Sequence, residues 1–330
     1  MVEQIGTIVG ENNYSTRIAE RYTYGFDASI YHVTPDIVVQ PRNVEQVSQL
    51  VKLANKLKIP IVPRGAGTGL CGGAVPLKGG MVIDLTRMNK IKEIRVEDLY
   101  CVCEAGVVYD HLQKALGPYK FTFPPTPGSA EACTIGGMVA TNASGMRAVK
   151  YGGTRDYVLG LEVVLPTGEI IEVGTRTLKN ASGYQLERFF VGSEGTLGII
   201  TKVTLRIVPK PKKMAMILAG FDTLEKAGKC VSALIAKPLL PSAVELMDST
   251  CIRAVNKAIN AGLPDVAALC MIEVDGDPKV VADELVEVMA SRTEERSPSL
   301  SADGRSALLT MGTTGTAPVT SSRSFFHSGR

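Results

Sequence analysis

Pro63-Arg64-Gly65-Ala66-Gly67-Thr68-Gly69-Leu70-Cys71-Gly72-Gly73 is the stretch whose reading decides the fold. Glycine lets the backbone turn through positive φ and approach a ligand without a Cβ in the way. Successive bare N–H groups in such turns make concave anion sites suited to a pyrophosphate. Two more glycine-rich elements follow in order. One runs Pro124-Pro125-Thr126-Pro127-Gly128-Ser129, then Thr134-Ile135-Gly136-Gly137 and Thr141-Asn142-Ala143-Ser144-Gly145. The last is Gly192-Ser193-Glu194-Gly195-Thr196-Leu197-Gly198-Ile199-Ile200. Together they imply one large phosphate-containing ligand held mainly by main chain.

Gly67 to Gly72 matches G-x-G-x-x-G literally. The nicotinamide fingerprint also needs a strand before it and a helix opening inside it. Ile59 to Val62 supplies the strand. Gly73-Ala74-Val75-Pro76-Leu77-Lys78-Gly79-Gly80 cannot supply the first turns of a helix. The context a Rossmann site needs therefore fails. No G-x-x-x-x-G-K-[ST] is present, and Val191 stands where a G-x-S-x-G elbow around Ser193 needs glycine. Triphosphate hydrolysis and serine-hydrolase chemistry have no local support.

These segments, with Tyr151-Gly152-Gly153-Thr154-Arg155-Asp156, resemble the FAD-binding domain of the vanillyl-alcohol-oxidase/p-cresol-methylhydroxylase (PCMH) superfamily. Within it the resemblance is to glycolate oxidase flavoprotein subunits and D-lactate dehydrogenases. It runs from about Asp36 to Pro209 and continues to about Ala290; Pro241-Ser242-Ala243-Val244-Glu245-Leu246-Met247-Asp248 is its best later stretch. The fold it implies is α+β: a two-subdomain PCMH-type FAD-binding domain followed by an incomplete α+β cap (substrate) domain. The expected organisation is a helical lead-in over 1–31, the FAD-binding domain over 32–210, the start of the cap over 211–290, and an atypical tail over 291–330.

Composition sets the class. A chain of 330 residues is long enough for two domains. A net charge of +3 is too small to argue for nucleic acid or an anionic membrane. No basic patch leads an apolar run at the start, and no window approaches the roughly 18 apolar residues of a membrane helix. Seven cysteines without a secretory signal suggest reduced thiols in a cytoplasm. Cys101 and Cys103 share one face of a buried strand rather than forming an iron–sulfur site. His32, His111 and His327 are scattered, so no metal site is expected.

Periodicity places the elements. A strand over Asp36 to Gln40 precedes a helix capped by Asn43, with Gln46 as capping-box partner. Strands follow at Met81 to Leu85 and Tyr100 to Glu104, a helix at Val108 to Leu116, then strands at Tyr157 to Leu165, Glu169 to Val173 and Gly198 to Val208. Lys210-Pro211-Lys212-Lys213 reads as a solvated junction. Beyond it, strands at Met214 to Ala219, Ala243 to Met247 and Ala267 to Glu273 alternate with helices. Glu245 and Asp248 mimic a paired-carboxylate site, but strand-end and N-cap roles suit them better. From Ser291 onward, fifteen residues are Ser or Thr and none is Lys or Tyr. Such a tail is either disordered or the product of a shifted reading frame.

The resemblance also implies how FAD is held. Pro63, Arg64, Gly65, Ala66, Gly67, Thr68 and Gly69 would wrap the pyrophosphate. Pro127, Gly128, Ser129, Ala130, Glu131, Ala132, Cys133, Thr134, Gly136, Gly137, Thr141, Asn142, Ala143 and Ser144 would hold the ribityl–diphosphate side and lie near the isoalloxazine. Glu194, Gly195, Thr196, Leu197, Gly198, Ile199 and Ile200 would close over the adenosine and flavin by main chain. Many relatives link the flavin to a histidine in the first loop. Here Cys71 is that loop's only nucleophile, so noncovalent FAD is expected.

The implied reaction is oxidation of a small D-2-hydroxy acid, glycolate or D-lactate, with hydride passing to flavin N5 and electrons going on to an iron–sulfur subunit or another acceptor. The branch's His-x-Gly-Asp-Gly-Asn-x-His stretch, associated with a divalent metal, is absent, and no catalytic residue is named. Two alternatives stand beside this reading. One is a same-fold enzyme acting on an alkylglycerone-phosphate-type lipid precursor, and the other is a flavin-binding fragment without activity.

Overall fold

The computed structural model describes residues 1–290 and 306–310. They fall into two compact units, Met1–Gly145 with Gly152–Lys210, and Met146–Tyr151 with the described residues from Pro211 onward.

The first unit opens with α1 (Val2–Val9), β1 (Tyr14–Ser15) and α2 (Ile18–Thr23), then β2 (Ile37–Val39), α3 (Val44–Leu57), β3 (Ile61–Arg64) and β4 (Met81–Asp84). Their sheet runs β1-β2-β4-β3, with β4 parallel to both β2 and β3. Helix α3 starts where Asn43, in extended backbone, accepts a hydrogen bond from Gln46 N at 2.9 Å. Gln46 Oε1 accepts from Arg42 N at 2.7 Å, one residue earlier than a strict capping box requires. Lys58 ends the helix in the left-handed region (φ 56°). Val47, Leu50, Val51 and Ala54 face the sheet and join Ile37, Val39, Met81 and Ile83 in one core. Fully burying a side chain such as Leu50 contributes about 1.5–3 kcal/mol.

The second sheet of this unit is antiparallel. It takes β5 (Ile91–Arg95), β6 (Tyr100–Glu104), β8 (Val158–Val164), β9 (Ile170–Gly174) and β10 (Ile199–Arg206) in the order β5-β6-β10-β8-β9. Between β6 and β8 lie α4 (Tyr109–Leu116), β7 (Phe121–Thr122) and α5 (Ile135–Thr141); α7 (Leu186–Phe190) precedes β10, and β11 (Val208–Pro209) pairs with β7. Cys101 and Cys103 are both buried on β6. Burial pushes the Cys101 thiol up to about 12 and the Cys103 thiol well above its usual value.

The second unit holds α6 (Ala148–Tyr151), β12 (Lys213–Phe221), α8 (Leu224–Ile235), β13 (Ala243–Asp248), α9 (Ser249–Ile259), β14 (Ala268–Gly276), α10 (Pro278–Ala290) and β15 (Ser306–Thr310). Its sheet runs β13-β14-β12-β15, antiparallel except for β12 with β15. One face, with Ala215, Ile217, Ala219 and Phe221 of β12 and Ala268, Cys270, Ile272 and Val274 of β14, packs with side chains of α8 and α10. Period-2 alternation sends Glu273 and Asp275 to the opposite face of β14. Asp248 caps α9 by accepting from Cys251 N at 2.7 Å. The expectation for 291–330 lies outside the described residues except at Ser306–Thr310. Among the described residues no helix is long and apolar enough to cross a membrane.

Candidate functional site

Strand β3 ends at Arg64, whose carbonyl accepts from Leu85 N at 2.9 Å, and the chain then leaves the sheet. From Gly65 to Gly69 it runs as a loop whose N–H groups find no hydrogen-bond partner among the described residues. Gly69 O anchors the loop's far end by accepting from Ala28 N at 2.9 Å. Glycine at 65 and 67 leaves room for the side chains packed beneath the loop. A Cβ on Gly65 would run into the Thr134 hydroxyl, and one on Gly67 (φ 70°) into the Arg64 guanidinium.

Arg64 is buried under this loop at 8 % exposure. Its Nη1 donates to Phe26 O at 2.8 Å and to Ala74 O at 3.4 Å, tying both flanks of the loop to one cation. The guanidinium lies 5.5 Å from the centre of the Tyr24 ring. Tyr24 OH and Gln40 Nε2 each donate to Asp84 Oδ2 at 2.8 Å, and Thr86 N donates to Asp84 Oδ1 at 2.9 Å. Burial draws the Arg64 pKa down, while Asp84, Tyr24 and Asp27 hold it up. Burial and then Asp84 push Tyr24 up to about 12, so it stays a neutral donor.

The second element supplies α5. Thr134 caps it by accepting from Gly137 N at 3.3 Å. A Cβ on Gly136 would lie 2.5 Å from Ala105 Cβ and 2.9 Å from Ala105 O, so glycine lets the helix backbone lie on the chain leaving β6. The third element is tied to α5: Gly192 N donates to Val139 O at 3.0 Å and Glu194 N to Ala140 O at 2.9 Å. Gly195 (φ 79°) packs on Pro63, where a Cβ would approach Cγ at 2.5 Å. The third loop thereby closes on the first.

The three elements enclose a cleft of about 300 Å³. Of the residues singled out in the sequence, Pro63, Arg64, Gly65, Ala66, Gly67, Thr68, Gly69, Pro127, Ser129, Cys133, Thr134, Gly136, Gly137, Thr141, Ala143, Glu194, Gly195, Gly198 and Ile200 line it. Gly128, Ala130, Glu131, Ala132, Asn142, Ser144, Thr196, Leu197 and Ile199 do not. Asn142 serves structure instead: it ends α5 at φ 49° and accepts from Arg155 N at 2.9 Å. Ile199 turns to the core behind β10 while Ile200 faces the cleft, as strand alternation requires. Leu70, Cys71 and Gly73, part of the first glycine loop but given no binding role from the sequence, line the cleft too, and sequence reasoning missed Ala74, Leu85, Ala105, Met138 and Ala140. Leu85 and Ala105 directly follow β4 and β6, and position at a strand's end was the only signal they offered.

The wall is mostly main chain and small side chains, and Arg64 and Glu194 are its only charged lining residues among those described. Partnerless N–H donors above a buried guanidinium fit a diphosphate. The small lining leaves room for flat rings on either side of it.

Comparison with known proteins agrees with this geometry. A family model described as an FAD binding domain matches residues 35–174, and a second, described as the C-terminal domain of FAD linked oxidases, matches residues 210–302. The glycolate oxidase subunit GlcD of Bacillus subtilis is 38 % identical over 320 residues, covering 93 % of this chain and 68 % of its own length. The D-lactate dehydrogenase of Archaeoglobus fulgidus is 46 % identical over 230 residues, covering 68 % of this chain and 51 % of its own. Among solved structures, an alkyldihydroxyacetonephosphate synthase superposes with a TM-score of 0.74 at 25 % identity, covering 89 % of this chain and 58 % of that one. A p-cresol methylhydroxylase superposes with a TM-score of 0.71 at 20 % identity, covering 88 % and 63 %, a likeness of fold alone. This chain thus spans between half and about two thirds of the length of these proteins. It belongs to the FAD-linked oxidases of the vanillyl-alcohol-oxidase/p-cresol-methylhydroxylase superfamily, in the branch of glycolate oxidase flavoprotein subunits and D-lactate dehydrogenases.

Proposed function

We propose that the cleft holds FAD without a covalent link, and that the chain serves an oxidoreductase acting on a small D-2-hydroxy acid of the glycolate or D-lactate type. The observation that carries this reading is the row of partnerless N–H groups from Gly65 to Gly69 above buried Arg64. These groups bind and orient the diphosphate. Thr134 and Ser129 offer hydroxyls to the ribityl side, and Gly195, Gly198 and Ile200 close the opposite wall. Bound FAD supplies the hydride acceptor for oxidation at the substrate's α-carbon. The chain's own part is to fix the cofactor and exclude water around it. Electrons leave to a separate acceptor, for which an iron–sulfur subunit is our candidate. A cytoplasmic setting suits the thiols, since none of the seven cysteines is paired in a disulfide.

A second reading rests on the superposition with an alkyldihydroxyacetonephosphate synthase. The same cleft would then serve a lipid-phosphate precursor. The higher identity to glycolate oxidase and D-lactate dehydrogenase sequences favours the hydroxy acid.

The test is the visible absorption spectrum of the purified, desalted chain, with and without added FAD. A flavin spectrum that stays with the protein, and bleaches under anaerobic D-lactate or glycolate, is the expected result. Flavin that is retained but not reduced would leave a cofactor-binding chain without this activity. Added FAD that washes straight through would overturn the reading.

A further inference from the structure

Arg64 is a buried cation without a bridging counter-ion. Among the described residues it forms no ion pair, and its hydrogen bonds go to the carbonyls of Phe26 and Ala74. We propose that Tyr24, together with Gln40, is a positioning residue for the anionic ligand. It engages Asp84, keeps that carboxylate from closing on Arg64, and so leaves the guanidinium to pair with the diphosphate. The proposal rests on the FAD reading and extends it to a residue that does not line the cleft.

Strand pairing brings the two charges side by side. Arg64 and Asp84 are register partners on the parallel strands β3 and β4. Such partners stand about 4.8 Å apart across the sheet, with their side chains on the same face. Both are buried, at 8 % and 2 % exposure. An arginine and an aspartate so placed are set up to close a bidentate pair. Here the acid is occupied instead. Its Oδ2 accepts from Tyr24 OH and from Gln40 Nε2, each at 2.8 Å, and its Oδ1 accepts from Thr86 N at 2.9 Å. The Gln40 amide is itself oriented, because Oε1 accepts from Arg87 Nε at 2.9 Å and Nε2 is turned to Asp84 and, at 3.2 Å, to Tyr24 OH. Asp27, the other acid whose charge reaches Arg64, gives Oδ1 to Ser29 N at 2.9 Å and makes no ion pair with it.

The cation is meanwhile presented to the cleft. Arg64 lines it, and Nη2 lies directly beneath Gly67, where a Cβ would meet it. Nη1 is held from behind by Phe26 O and Ala74 O, and the Tyr24 ring stands 5.5 Å from the guanidinium carbon. A buried charge without a counter-ion is costly, and an arriving diphosphate supplies the missing partner. With Asp84 closed on Arg64 the charge would already be satisfied, and that attraction would be lost. Tyr24 thus steadies the cation with its ring face and holds off the competing acid with its hydroxyl.

Titration of the full chain with FAD, beside thermal unfolding without flavin, decides the matter. Tyr24→Phe keeps the ring and removes the hydroxyl, and it should weaken FAD binding by about tenfold, the scale of one hydrogen bond to a charged group. Gln40→Leu, which takes the other side-chain donor from Asp84 Oδ2, should act in the same direction. The decisive variant combines Tyr24→Phe with Asp84→Asn. It strips one more charge-assisted contact, so the unfolding temperature should fall further. FAD affinity should nevertheless return to within about threefold of the unaltered chain, because no carboxylate is left to quench Arg64. A purely structural role makes affinity fall with stability. Tyr24→Phe binding FAD within about twofold of the unaltered chain would overturn the proposal, as would a double variant that binds no better than Tyr24→Phe. Should the double variant not fold, Tyr24→Phe is titrated with ADP and with adenosine. A loss confined to ADP supports the proposal, and an equal loss for both overturns it. If the unaltered chain binds no FAD, the reading beneath the proposal falls, and the proposal with it.

Discussion

Two regions of this molecule gather polar groups and treat them in opposite ways, one burying and pairing them and the other leaving them open in a cleft. On β14, Glu273 and Asp275 are 6 % and 1 % exposed. Glu273 accepts from Arg147 Nε at 3.1 Å and Ser242 Oγ at 2.8 Å, and Asp275 from Lys150 Nζ at 2.6 Å and Tyr151 OH at 2.8 Å. Every carboxylate oxygen there has a partner, since Arg147 Nη2 reaches the last, Glu273 Oε2, at 3.4 Å. In the cleft, the N–H groups of Gly65 to Gly69 have none. The lesson is that charge and burial do not by themselves mark a functional site. A saturated buried cluster holds structure together, while a row of donors left open in a concave wall waits for a ligand.

The largest test of that contrast removes a partner from the saturated side. Lys150→Met leaves Asp275 buried with Tyr151 as its remaining side-chain donor, and breaking such a pair costs about 3–5 kcal/mol. Amide exchange along β14 should accelerate accordingly, while FAD affinity stays as it was. A loss of FAD affinity without faster exchange would mean that the cluster belongs to the binding site, and the contrast would fail.

The next test over-packs the open side. Gly136→Ala drives a methyl into Ala105, whose Cβ, O and Cα would stand 2.5, 2.9 and 3.0 Å away. Two of those atoms are backbone and cannot swing aside. Thermal unfolding of the chain without flavin should show about 1–3 kcal/mol of destabilisation. FAD retention on desalting should fall too, because α5 moves with the wall of the cleft. Unchanged retention would show that α5 does not shape the site.

The sequence was most legible where chemistry is local. The glycine loops and the family they resemble could be read from adjacent residues, because a bare backbone is a one-letter property. The β-branched runs at β8 and β10 and the capped helix α3 were equally plain. The helix α5 was not. Thr134-Ile135-Gly136-Gly137 reads as loop, since two glycines disfavour a helix. It forms a helix because Thr134 caps it and because Gly136 lets it lie on Ala105, a partner some thirty residues away in the chain. Strand β5 was missed for the same reason: Ile91-Lys92-Glu93-Ile94-Arg95 breaks the period-2 alternation, with a register shift between Ile91 and Glu93, and owes its pairing to β6. Leu85 and Ala105 line the cleft as ordinary small or apolar residues, and nothing in their identity says which side of the sheet they serve. For the substrate side, no catalytic base is readable in the sequence, and the described residues of the cleft add none.

The smallest effect concerns the scaffold that carries the open loop. Asn43→Ala removes the cap of α3, where Asn43 Oδ1 accepts from Gln46 N at 2.9 Å, and should lower the urea midpoint by an amount worth about 1 kcal/mol. FAD affinity should not change. The donors from Gly65 to Gly69 are placed by the parallel pairing of β3 with β4 and by Arg64, whereas α3 only covers the sheet behind them. If affinity fell in step with stability, the loop would be positioned by the helix as much as by the strand. The open donors would then be a property of the whole first core rather than of one strand end and the arginine that closes it.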